Sequence, residues 1–116
     1  MENLNGCWHF KEKFDFGVKE GEARLFQEGD TISGNLIFRE ITDEEDSIIV
    51  RVSIIGFFRN GKVILNDSAH SVLVGGTDDD YLSEEREGVL NIQGQIIGSV
   101  IDKDAVAGVF VMNRIF

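Results

Sequence analysis

The strongest constraint on what this chain can fold into is the period of its apolar residues. They recur every second position in short segments, and no stretch of fifteen residues sustains a helical repeat. From Gly6 to Phe14, Trp8 and Phe10 fall on one face and Cys7, His9, Lys11 and Lys13 on the other, as a half-buried strand requires. Residues 21–28, 31–40 and 47–58 repeat the pattern, with Gly29-Asp30 and Asn60-Gly61 as tight turns between antiparallel partners. Residues 62–74 read as the next strand, bent around Asn66-Asp67-Ser68. Residues 75–88 are the one long connection, and 80–86 within it read as a helical turn capped by an aspartate. Residues 89–98 read as a strand with Leu90, Ile92, Gly94 and Ile96 inward. A short strand over 99–101, a turn at Asp102-Lys103-Asp104 and a last strand over 105–116 complete the chain.

That makes eight strands joined mostly by tight turns, without a single proline. Sequential hairpins favour an up-and-down meander, and closing eight strands into a barrel removes both exposed edges. The expected fold is therefore an all-β, eight-stranded antiparallel barrel, one domain over residues 1–116. Gly34, Gly56, Gly94 and Gly108 interrupt the pattern where coiled strands need bends or close approach. Chains of 116 residues bury enough surface to fold without staples.

Charge excludes one class of partner. Eleven basic against 21 acidic residues leave a net charge of −10, which repels phosphate backbones and rules against nucleic acid. The apolar runs are too short to span a bilayer as helices, and the N-terminus lacks the basic start and apolar stretch of a secretory signal. A cytoplasmic location without membrane association is the expectation. The single Cys7 cannot form an internal disulfide.

Few residues invite chemistry. Cys7 and His9 share the outer face of one strand about 7 Å apart, too far for a nucleophile and its base in direct contact. No second Cys/His pair completes a tetrahedral metal site, and His70 stands alone among Ser68, Ala69 and Ser71. Asp78-Asp79-Asp80 suggests calcium by charge alone and lacks EF-hand spacing. Gly75-Gly76-Thr77 lacks the lysine and helix of a phosphate loop. No enzyme activity, no cofactor and no metal are expected.

Gly6-Cys7-Trp8 at the head of the first strand, together with Arg114 near the end of the last, resembles the calycin superfamily of small β-barrels, which includes lipocalins, fatty-acid-binding proteins and avidins. The resemblance implies that Gly6, Trp8 and Arg114 close one barrel end, with the guanidinium packed across the indole. A planar cation over an indole face suits that task. Size and direct hairpins sit nearest the avidins. The family's binding residues do not carry over, because avidin-like sites use several tryptophans and Trp8 is the only one here.

An open end opposite Trp8 is where a small ligand would enter. By strand parity the first, third, fifth and seventh connections frame it, and their carboxylates favour a neutral or cationic molecule with its apolar part against Phe38, Ile54 or Phe110. The competing expectation is a barrel filled by its own side chains, with Phe10, Phe26, Phe38, Phe58 and Phe110 supplying bulk, that acts as a structural or oligomerising interaction protein. Ile49, Ile55 and Phe57 on the long strand and Val109 and Val111 on the last would point outward. A solvated face should be polar, so these five are the expected interface of a homo-oligomer, a dimer being the commonest form.

Overall fold

The structure, a computed structural model, describes residues 3–42 and 47–116. β1 (Gly6–Phe14), β2 (Gly17–Glu28), β3 (Thr31–Thr42), β4 (Ile48–Arg59), β5 (Lys62–Val74), β6 (Glu84–Leu90), β7 (Ile96–Asp102) and β8 (Ala107–Arg114) run in sequence order. Each pairs antiparallel with the next, and β8 closes onto β1, so the sheet is an up-and-down barrel without edges. The fold is the one the period of two demands.

Alternation sends every second side chain inward. Trp8, Phe10, Ala23, Leu25, Leu36, Phe38, Val50, Val52, Ile54, Leu65, Ile96 and Met112 form one continuous buried core. Glycine is needed where strands coil tightly. A Cβ on Gly56 would sit 1.6 Å from the Ile64 carbonyl oxygen, so β4 and β5 can approach as they do only without one.

β5 changes parity part-way. Ile54 pairs with Asp67 and Ser53 with Ala69, leaving Ser68 as the extra residue of a bulge. Before it Val63, Leu65 and Asp67 face inward; after it His70 and Val72 do. The turn-formers at 66–68 mark the place, and the strand continues through it instead of breaking.

Several sequence expectations need correction. Residues 89–98 are not one strand: Asn91 turns the chain, its Oδ1 accepting from the Gln93 and Gln95 amides at 3.0 and 2.9 Å. Gly94 takes φ +82° in that turn, and Ile92, expected inside, is fully exposed. β6 instead begins at Glu84, and the helical turn expected over 80–86 is a single 3-10 turn at Asp78–Asp80. β2 starts at Gly17, four residues earlier than its apolar pattern, because Lys19 faces inward and hides the alternation. Phe26, counted among the interior aromatics, projects outward and is half exposed. The acidic loop 43–46 lies outside the described residues. Among the described residues, no helix is long and apolar enough to cross a membrane.

Candidate functional site

One barrel end is built around Trp8, which is wholly buried. Its Nε1 donates to the Leu4 carbonyl at 3.0 Å, and the Arg114 guanidinium carbon lies 4.4 Å from its ring centroid. Arg114 is held there from β8, directly opposite Trp8 in register, by donating through Nη1 to the Asn5 carbonyl at 2.6 Å and through Nη2 to that of Asn3 at 2.7 Å. Gly6 has φ +134°, and a Cβ on it would meet the Phe116 carbonyl oxygen at 2.4 Å. Only glycine lets the C-terminal residues pass so close, and Cys7 then donates its amide to Phe116 at 2.8 Å.

The other half of the interior is not apolar. Arg86, wholly buried, donates through Nε to Glu12 at 2.5 Å, through Nη1 to Asp67 at 2.7 Å and through Nη2 to Glu84 at 2.8 Å. Lys19 donates to the second oxygen of Glu84, and the Tyr81 hydroxyl to Asp67. The Lys19 ammonium also lies 5.0 Å from the Phe14 and Tyr81 ring centroids and 5.8 Å from that of Phe38. It is a cation inside an aromatic cage.

Two cations here face three carboxylates, and the imbalance is relieved by a proton. Burial pushes the Glu12 carboxyl up to about 8, with Glu84 adding to the shift and Arg86 opposing it. Burial also works against ionisation of Glu84, but its contact with Glu12 and the charges of Lys19 and Arg86 outweigh it and hold Glu84 below the usual range. A neutral Glu12 leaves two charges of each sign. Among the described residues no donor reaches its Oε1, and the protonated carboxyl hydrogen-bonds Glu84 instead; the Thr42 hydroxyl near the same end is also buried without a partner among them.

Sequence reasoning missed this network because alternation was scored on apolar residues. Glu12, Lys19 and Arg86 occupy inward positions in register, and Glu12 even pairs directly with Lys19 across β1 and β2. The signal available was parity itself: Trp8 and Phe10 facing in place Glu12 inward too. Of the expected ligand-contacting residues, Phe38, Ile54 and Phe110 are all buried in the core. Phe38 sits beside Phe10 and Tyr81, with centroids 5.8 and 5.7 Å away.

The expected interface residues divide between two walls. Ile49, Ile55 and Phe57 lie on β4, and Val109 and Val111 on β8, four strands away around an eight-stranded closed barrel. A single two-fold contact cannot cover both. Cys7, His9 and His70 are likewise dispersed. Cys7 accepts from Arg24 Nη2 at 3.2 Å, His9 pairs with Glu20 at 2.8 Å, and His70 Nε2 bonds the Asp78 carbonyl at 2.8 Å. Asp78 and Asp80 spend a carboxylate oxygen each on the Val72 and Thr77 amides, both at 2.8 Å. Among the described residues, no three His, Cys, Asp or Glu side chains are grouped to hold a metal ion.

No family model and no curated protein matches the sequence. Solved structures do match the fold. A redesigned β-barrel, mFAP1, bound to DFHBI aligns with a TM-score of 0.68 at 9% identity over 96% of this chain and 94% of that one. A de novo designed fluorescence-activating β-barrel aligns with a TM-score of 0.57 at 15% identity over 96% and 93%. The redesigned barrel mFAP0, bound to DFHBI, gives 0.57 at 10% over 96% and 98%. At such identities the likeness is one of fold.

Proposed function

We propose that the protein is a non-enzymatic, calycin-type barrel whose interior is filled by its own side chains and whose work is done on its outer wall, as an interaction protein. The observation that carries this reading is the occupancy of the half opposite Trp8. Arg86 with its three carboxylate partners, and Lys19 within its ring cage, take the volume a ligand would need. An eight-stranded barrel is either just filled or just able to hold one small ligand. Entry here requires breaking a buried ion pair, and a buried charge stripped of its partner costs about 3–5 kcal/mol.

One observation favours a second reading, a small molecule bound at that end. Lys19 holds an ammonium among Phe14, Phe38 and Tyr81 beside Glu84, which is the chemistry a ligand cation would use after displacing it. Two fold neighbours, the redesigned barrels mFAP1 and mFAP0, are bound to DFHBI, which supports a small molecule as an occupant of this fold.

Thermal shift with matched apolar cations, neutral molecules and fatty acids separates the two, together with native mass spectrometry of the purified protein. A ligand specific for the folded state must raise the melting temperature. The filled barrel predicts no retained molecule and no shift with apolar cations or neutral molecules. A dose-dependent rise with an apolar cation, lost in Glu84→Gln, would overturn it in favour of the second reading.

A further inference from the structure

Five of the eleven lysines and arginines stand exposed on one wall: Lys11 and Lys13 on β1, Arg24 on β2, Arg39 on β3 and Arg51 on β4. On a chain of net charge −10 this is a local reversal of sign. At one end of it lies a groove of about 650 Å³ lined in part by Cys7, Glu22, Arg24, Asn35, Ile37 and Arg51.

Register defines how these groups face each other. Arg24 pairs with Asn35 and Asn35 with Ser53; one step along the strands, Glu22 pairs with Ile37 and Ile37 with Arg51. Arg24 and Arg51 thus stand at diagonal corners of a patch three strands wide. From strand spacing their Cα atoms are about 12 Å apart, a span that two arginine side chains can close around one anion over Asn35. Neither arginine has a carboxylate partner among the described residues, and the hydrogen bond Arg24 makes is to the Cys7 sulfur at 3.2 Å. Ile37, half exposed, supplies an apolar shelf beside them. Glu22 lines the groove as well, across Ile37 from Arg51, and Glu20 lies beyond it on β2; carboxylates so placed bar a long polyanion, while two arginines against the one lining carboxylate leave room for a compact anion.

We propose that this groove binds a small organic oxyanion, its charged group between Arg24 and Arg51 and its apolar part on Ile37. The inference rests on the reading of the outer wall as the working surface. It assigns that surface a ligand class opposite to the one the acidic barrel end would favour.

Cys7 makes the site testable, since it is the only cysteine and lines the groove. Its alkylation by iodoacetamide is followed with phenyl phosphate, benzoate, inorganic phosphate and benzylammonium as probes, alongside the melting temperature of the whole chain. If bound protein is unreactive, labelling slows about tenfold when phenyl phosphate is present at roughly ten times its dissociation constant. Benzoate protecting as well would mark any oxyanion as sufficient, and inorganic phosphate protecting less would assign the apolar shelf a part. Arg24→Gln and Arg51→Gln, both at exposed positions, should fold normally and each abolish protection.

Protection that persists in both variants, equal protection by benzylammonium, or none with any anion would overturn the proposal. A melting-temperature rise with phenyl phosphate that leaves Cys7 labelling unchanged would also overturn it, by placing the anion elsewhere. A rise with benzylammonium that is lost in Glu84→Gln would instead overturn the filled-barrel reading, so the two failures are distinguishable.

Discussion

Trp8 and Glu12 lie four residues apart on the same inward face of β1, and they stand for the two kinds of interior in this barrel. Around Trp8 the interaction is dispersion and cation–π, so truncating it removes a large buried surface. Trp8→Ala is expected to destabilise the protein by about 3–5 kcal/mol in denaturant unfolding, and Arg114→Ala by less while altering the tryptophan emission. A folded protein whose Trp8 is readily quenched by acrylamide would contradict the described packing. Around Glu12 the controlling quantity is the proton. Its folded-state pKa, about 8, lies above the ordinary value of 4.5, so between those limits the folded form holds a proton that the unfolded chain has lost. Stability contributed by this group is then fully present below the unfolded value and falls as pH rises towards 8, with a slope of at most about 1.4 kcal/mol per pH unit. Glu12→Gln, which keeps the shape and stays neutral, should flatten that slope; urea unfolding across pH 5–8 in both proteins checks it.

At the scale of elements, the decisive features are the bulge in β5 and the turn between β6 and β7. The bulge lets one strand place Asp67 against Arg86 and, three residues on, His70 near the Tyr81 ring at 4.9 Å. A regular strand would send one of the two outside. In the second case Asn91 and Gly94 override an apolar alternation that runs through them unbroken, since an Asn side chain bonding two amides closes the turn locally. Ile92 is left fully in solvent, so Ile92→Lys is expected to change the unfolding free energy by no more than about 0.5 kcal/mol. A loss of several kcal/mol would restore the strand reading of residues 89–98.

For the whole molecule, two apolar outer walls are available to a partner. Val89, Ile97 and Val111 form a continuous apolar row across β6, β7 and β8, next to a groove of about 780 Å³ lined in part by Val109 and Phe110. Self-association, proposed from the apolar outer residues, would use that wall or the Ile55–Phe57 wall, not both in one contact. The expected result is that Val109→Asp shifts any dimer seen by sedimentation at micromolar concentration towards monomer while Ile55→Asp does not. The opposite pattern would assign the contact to β4, and a monomer in every variant would remove self-association from the proposal.

By itself the sequence determined the all-β class, the order and direction of the strands and the alternation of connections between two ends, whereas Gly6, Trp8 and Arg114 of one end stand out only through their resemblance to the calycin pattern. The first three follow from local rules: side chains alternate along a strand, glycine and asparagine permit tight turns, and closure satisfies the edges. The contents of the other end were decided by tertiary structure. Arg86 meets Glu12 across 74 residues of chain and Lys19 meets Glu84 across 65. Whether a charged residue at an inward position is tolerated depends on a partner arriving there from another strand. No local window contains that partner, and a polar side chain alone reads as solvent-facing. The same holds outside, where Arg24 and Arg51 become neighbours of one groove only once β2, β3 and β4 are in register.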